Sequence, residues 1–166
     1  FSARYAMRQA TLNLPVSNFL KSELPDFAQM KAVVIPTGYD DGAFYPQDKR
    51  DDVVCIAIAD TEKRLKIKGV DRLLEVAALT PEINYTIIGV SAKVVDKLEI
   101  PENVKMLAKV NEAEVVTALG SSKVCAIFSV REGLPNVVFE AMLSECAVIG
   151  LDHSGLAEAI ANHGLL

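Results

Sequence analysis

An α/β fold, a doubly wound parallel sheet with helices on both faces, follows from two patterns in the 166 residues. Short runs rich in Val and Ile recur, apolar throughout rather than alternating, as strands covered on both faces require. Helical stretches with one apolar stripe separate them, and that alternation gives right-handed βαβ crossovers and an open, Rossmann-like sheet. Ligands of such sheets sit beyond the carboxyl ends of the strands.

Taken in order, residues 1–30 are the least regular. LNLPVSNFLKSEL reads as a short extended piece and then a helix capped by the Ser17 hydroxyl, and an appendage is expected there. KAVVIP reads as a strand, TGYDDGAFYP as a loop punctuated by Gly38, Gly42 and Pro46, and QDKRDD as a charged stretch. VVCIAIA (53–59), YTIIG (85–89), VCAIF (124–128) and AVIGL (147–151) are the sheet strands. In GVDRLLEVAAL, Val70, Leu73, Leu74 and Ala77 follow the spacing of a helix with one buried stripe. Asn111 can cap the helix that carries Val115, Val116 and Leu119, with Glu114 at its third position and Gly120 placed to end it. Pro135, with no N–H to lose, suits the first position of a helix running through Leu143, and LDHSGLAEAI enters a last helix near Gly155.

Composition narrows the function. An apolar fraction of 51% in 166 residues builds one sizeable core, not two domains. The formal charge of −5 argues against nucleic acid as a partner, because binding a phosphate backbone needs a basic face. No apolar run approaches the roughly 20 residues of a membrane span, and the first residues carry no leader pattern, so a cytoplasmic location is expected. Cys55, Cys125 and Cys146 fall in apolar runs without metal-type spacing and read as reduced core residues.

Three segments at the expected strand ends carry chemistry. DTEKRLKIKG (60–69) reads as a loop that gathers Lys63, Arg64, Lys66 and Lys68 just before a helix start, where backbone amides and the helix dipole also favour anions. A diphosphate would fit there, with Lys68 the sharpest candidate; a solvated surface loop is the bland alternative. In REGLPNVVFEAML, the amides around Gly133, Leu134 and Asn136 would point out of the helix start, beside Pro135. Glu140 lies on an otherwise apolar helix, and a buried charge without a partner is costly. It therefore either pairs with a cation such as Arg131 or Arg72, or opens onto a pocket where a carboxylate can accept from a vicinal diol, as on a ribose. Glu132 is either a ligand or an exposed loop residue. His153, in the third loop, is more often incidental than catalytic in such a setting. No GxGxxG follows a strand, and GxxxxGK[ST], GxSxG and metal-spaced His or Cys pairs are absent, which weakens dinucleotide, P-loop and metal readings.

The residues from about Val16 onward resemble the carboxyl-terminal, donor-binding domain of a family 4 retaining glycosyltransferase with the GT-B fold. Glu132, Gly133, Pro135, Glu140 and Ala141 match that family's signature E-G-[FL]-P-x-x-x-x-E-A. VIPTGYDDGAFYP resembles its interdomain segment, with Gly38, Asp40, Phe44 and Pro46 in place and Thr37 where Asn is common. KGVDRLLEVAAL resembles its Lys-Gly helix start, and HSGLAEAI its Gly-Gly-x-x-Glu stretch. The resemblance implies that Lys68 neutralises the diphosphate of a sugar nucleotide and that Glu140 holds the ribose hydroxyls. Glu132, as the catalytic candidate, would engage the transferred sugar with the donor-binding backbone of Gly133, Leu134, Pro135 and Asn136. The base would lie near the loop after LAKV. Transfer with retained configuration by front-side attack is implied, with no metal or other cofactor, because cations and helix-end amides stabilise the leaving group.

Ala59 and Asp60 stand where the family has Gly-Arg; either Arg64 replaces the missing cation or the diphosphate contact is weaker. The domain division expected is 1–30 as remnant of an amino-terminal domain or linker and 31–166 as the nucleotide-sugar domain, truncated before its closing helices. The implied partners are a nucleotide sugar and the missing amino-terminal domain, through which alone any membrane-surface association would come. A fragment of that kind would bind donor without turnover, within an enzyme serving a glycan, lipid or other acceptor, polysaccharide biosynthesis included. The alternatives are another GT-B enzyme, such as a nucleotide-sugar epimerase or a phosphorylase, and a scaffolding module that kept the fold and lost transfer.

Overall fold

The computed structural model describes residues 2–161 and 163–166. Three short helices come first: α1 (Ala3–Gln9), α2 (Asn18–Ser22) and α3 (Asp26–Gln29). The remainder alternates β1 (Arg50–Ala59), α4 (Glu62–Lys68), α5 (Val70–Leu79), β2 (Asn84–Val90), α6 (Ala92–Val95), β3 (Val104–Leu107), α7 (Glu112–Ser121), β4 (Ser122–Ile127), α8 (Asn136–Leu143), β5 (Ala147–Gly150) and α9 (Ser154–Ile160). All strand pairs are parallel, in the order β3-β2-β1-β4-β5. The doubly wound α/β sheet is therefore the fold, and its direction of winding reverses between β1 and β4.

Side-chain alternation along β1 divides the core. Val53, Cys55, Ala57 and Ala59 join Leu65 of α4 and Val70, Leu73, Leu74 and Ala77 of α5 on one face. Val54 faces the other way, into a layer with Leu119 of α7, Val138 and Ala141 of α8, and Leu156, Ala159 and Ile160 of α9. The three cysteines are buried and free, and burial pushes the Cys55 thiol up to about 12. Lys49 ties this second layer at its lower edge, donating to the carbonyls of Leu119, Ser122 and Ser144.

Several local expectations need correction. KAVVIP does not enter the sheet: Ala32 makes a single parallel bridge with Asn13, and Val33 and Ile35 remain exposed. Its backbone groups are taken up locally, with the Val33 amide on Asn13 and the Ile35 amide on Pro15. The four-residue strand β3 went unread because it is short and carries the exposed Lys105, as sheet edges do. Residues 62–68 form a helix rather than a loop, because Thr61 caps it by accepting from the Arg64 amide and Gly69 closes it in the left-handed region. Pro135 sits just before α8, not at its first position. Asn111 and Glu114 do form the reciprocal cap expected for α7.

Gly69 is the joint between α4 and α5. Its φ is +67°, and a Cβ placed on it would lie 2.0 Å from the Phe128 carbonyl oxygen just after β4. Gly69→Ala is expected to lower stability by about 2 kcal/mol or more, the sum of left-handed strain and displaced backbone, read from the denaturant midpoint.

Candidate functional site

Open α/β sheets bind ligands outside the carboxyl ends of the strands where the winding reverses, which in this sheet is between β1 and β4. Two segments meet there. Gly69 brings the end of α4 onto Phe128, and the Val130 amide donates to the Ile67 carbonyl at 2.9 Å. Lys68 and Glu132, distant in sequence, thereby come together: Lys68 Nζ lies 2.6 Å from Glu132 Oε1. Their side chains are only 29% and 16% exposed, so the pair is shielded on most sides. Neither of the bland readings, a solvated lysine or an exposed loop glutamate, describes them.

The other cations of α4 are placed differently. Arg64 pairs with Asp60 at 3.4 Å, with 57% and 61% of the two side chains exposed, so the residue expected to replace the missing arginine is held at the surface by the very aspartate that stands in the arginine's place. Lys63 and Lys66 are exposed. His153 is exposed and immediately precedes α9.

At the start of α8, the amides of Gly133, Leu134 and Asn136 have no acceptor among the described residues. They lie where the helix dipole adds to their own partial charge. The loop behind them is pinned. The Glu132 amide donates to Ser154 Oγ at 3.1 Å, the Glu132 carbonyl accepts from the Gly155 amide at 3.0 Å, and the Gly133 carbonyl accepts from Ser17 Oγ at 2.6 Å. Contact is too close for any side chain at Gly155, where a Cβ would meet the Gly133 oxygen at 1.7 Å. Ser154 itself adopts φ +59°. Ser17 was legible only as a helix cap and Ser154 not at all, since both act through contacts that sequence spacing does not encode.

Glu140 lies one helical turn on, half-buried on α8. Its side chain has no ion pair or hydrogen bond among the described residues. Arg131, one of the cations proposed for it, is paired instead with Glu23. Burial pushes the Glu140 carboxyl up, and the Glu112 carboxylate at the start of α7 adds to the rise. The Asn136 side chain accepts from the Tyr39 hydroxyl at 2.9 Å, and the Tyr39 ring stacks on Phe139 with centroids 4.7 Å apart.

Beyond the ends of β1, β2 and β3 opens an apolar cavity of about 510 Å³, walled by Ile56, Ile58, Ile88, Ala108, Val110 and Val115. Ile58 is 67% exposed, an unusual position for an isoleucine at a strand end. Ala108–Val110 on its wall are the last three residues of LAKV; the base contact was expected just after them, where Asn111 already caps α7. Ser91, also on the wall, has a buried Oγ without a hydrogen-bond partner. Among the described residues no group of three His, Cys, Asp or Glu could hold a metal ion, and no helix is long and apolar enough to cross a membrane.

The chain is similar in structure to several solved proteins. It superposes on sucrose-phosphate synthase from Thermosynechococcus elongatus with a TM-score of 0.81 at 18% identity, covering 98% of this chain and 46% of that one. For Anabaena HepE, solved in complex with UDP and glucose, the values are 0.76 and 17%, covering 100% and 53%. The carboxyl-terminal domain of the group 1 glycosyl transferase LpcC from Francisella tularensis gives 0.61 and 21%, covering 78% and 79%. The chain thus spans about half the length of the first two. No curated protein matches it in sequence. Residues 50–165 match the family model of the group 1 glycosyl transferases, and with most of its length inside that match the chain belongs to this family.

Proposed function

We propose that this chain is the donor-binding part of a family 4 retaining glycosyltransferase, holding a nucleotide-diphosphate sugar in the crevice between β1 and β4. The observation that carries the reading is Glu140: a half-buried carboxylate without a partner, made costly by burial and by Glu112. A ribose diol supplies the two donors that such a carboxylate needs. The base then lies in the apolar cavity against Ile58 and Val110. A cavity of about 510 Å³ is within the usual range for small ligands.

The diphosphate falls between the cavity and the start of α8. There the free amides of Gly133, Leu134 and Asn136 meet its oxygens, and Lys68 turns from Glu132 to share its charge. In transfer, the bond from the sugar's anomeric carbon to the diphosphate oxygen breaks while an acceptor oxygen attacks from the same face and loses its proton to the leaving phosphate. The leaving group then bears more negative charge than in the ground state, and fixed amides and Lys68 stabilise that increase. Glu132 is left to accept from the sugar hydroxyls. Arg64, held by Asp60, contributes little to the diphosphate in this arrangement.

A titration with UDP, GDP, ADP and their sugars by calorimetry tests the reading, and absence of binding at millimolar concentration would sink it. Lys68→Met is expected to weaken nucleoside diphosphates by about 1–3 kcal/mol while leaving the free nucleoside unaffected. Glu140→Gln is expected to weaken nucleotide and nucleoside alike, by about 1–3 kcal/mol. It also has a sign in stability. The folded protein binds the Glu140 proton more tightly than the unfolded chain does, so Glu140 favours folding at low pH. That contribution is lost as pH rises from the ordinary 4.5 through the raised folded value. Glu140→Gln is therefore expected to raise the melting temperature relative to the parent at neutral pH and not near pH 4, whereas a structural Glu140 would give a less stable variant with unchanged affinity.

A further inference from the structure

The orientation of the Glu132–Leu134 backbone depends on residues far away in sequence. Two successive carbonyls, those of Glu132 and Gly133, are both drawn toward α2 and α9, one by the Gly155 amide and one by the Ser17 hydroxyl. A trans peptide unit is planar and holds its C=O and N–H in opposite directions. Drawing in the Glu132 carbonyl therefore turns out the Gly133 amide, and drawing in the Gly133 carbonyl turns out the Leu134 amide. These are the amides left without a protein acceptor.

Ser17 is suited to hold the second of them. It is 0% exposed, its Oγ donates to the Gly133 carbonyl at 2.6 Å, and the same oxygen accepts from the Leu20 amide at 3.1 Å as the cap of α2. The hydroxyl's proton and a lone pair are thus both engaged, and its rotor has one setting. The helix that carries it is itself anchored. Glu158 of α9 accepts from the Asn18 and Phe19 amides at 2.9 and 3.0 Å and from the Asn18 side chain at 2.8 Å. Burial alone would push the Glu158 carboxyl up, yet these three donors outweigh it and hold it below its usual range. On the other flank Arg131 pairs with Glu23, and Leu20 packs where a side chain on Gly133 would stand.

We infer that Ser17 is a positioning residue for anion binding at the start of α8: through the Gly133 carbonyl, its hydroxyl aims the Leu134 amide at the phosphates of a nucleoside diphosphate. The inference rests on the donor-binding reading above. It assigns a part in the site to a residue outside the 50–165 span that matches the family model. Without the hydroxyl, the peptide between Gly133 and Leu134 loses the bond that opposes its rotation, while the cavity beyond β1, β2 and β3 and the Glu140 side chain, one turn further along α8, make no bond to Ser17.

Calorimetric titration of the protein and of Ser17→Ala, using whichever of UDP, GDP and ADP binds best together with its free nucleoside, separates aiming from mere stability. Ser17→Ala is expected to weaken the diphosphate roughly tenfold and to leave the nucleoside unchanged, a split that simple loosening of the fold does not produce. Should Ser17→Ala fail to fold, Ser17→Cys, with similar volume and a weaker donor, is expected to show the same selective loss at smaller size. Equal effects on both ligands, or an effect on neither, overturn the inference while the donor-binding reading stands. A parent protein that binds no nucleoside diphosphate overturns both.

Discussion

Close backbone contact at the reversal of the sheet is the constraint on which the site depends. Gly69 lies against the Phe128 carbonyl and Gly155 against the Gly133 carbonyl, at separations where no Cβ fits. The first contact delivers the end of α4, and with it Lys68, to the segment after β4. The second presses the start of α9 onto that segment from the other side. Glycine is required at these places because backbone must touch backbone, and at Gly69 also because φ is positive. The crevice is thus framed by main chain, which moves little, and furnished by side chains at its rim.

Charge is distributed across that frame in two distinct ways. Lys68 and Glu132 satisfy each other in the free protein, so neither carries an uncompensated cost. Glu140 carries its cost openly, raised by burial and by Glu112, with no ion pair among the described residues to relieve it. A fold selected only for stability would pair or neutralise such a group, and local cost concentrated at one position is how binding sites commonly appear in a structure. On the proposed donor-binding reading, the first pair would exchange partners on meeting an anion, whereas Glu140 would gain one it lacks.

The amino-terminal segment has a role that its irregular composition conceals. Among its described residues, the extended piece and short helices add one β-bridge to each other and none to the main sheet, yet Ser17, Asn18, Phe19 and Glu23 all bond to residues between 131 and 158. The segment behaves as a brace behind the α8 loop. Its anchoring partners, the Gly133 carbonyl and Glu158, stand more than a hundred positions away in sequence.

Much of the molecule was legible in its sequence because the signals were local. Apolar runs gave four of the strands, the i, i+3, i+4, i+7 stripe gave α5, and Asn111 with Glu114 gave the start of α7, since strand burial, helix amphipathicity and capping all act within a few residues. A lone carboxylate, Glu140, on an otherwise apolar helix singled out the α8 loop for the same reason, and the resemblance added the meaning of its spacing from Glu132. Other features required the tertiary structure. KAVVIP had strand composition, yet its backbone bonds to Asn13 and Pro15 and joins no strand of the sheet; the helix in DTEKRLKIKG, by contrast, carries its own local caps in Thr61 and Gly69. The pairing of Lys68 with Glu132, the lack of a partner for Glu140 and the hold of Ser17 on Gly133 were decided only when distant segments packed together. Sequence spacing encodes which face a side chain takes on its own element; which group stands opposite it is set by how the elements meet.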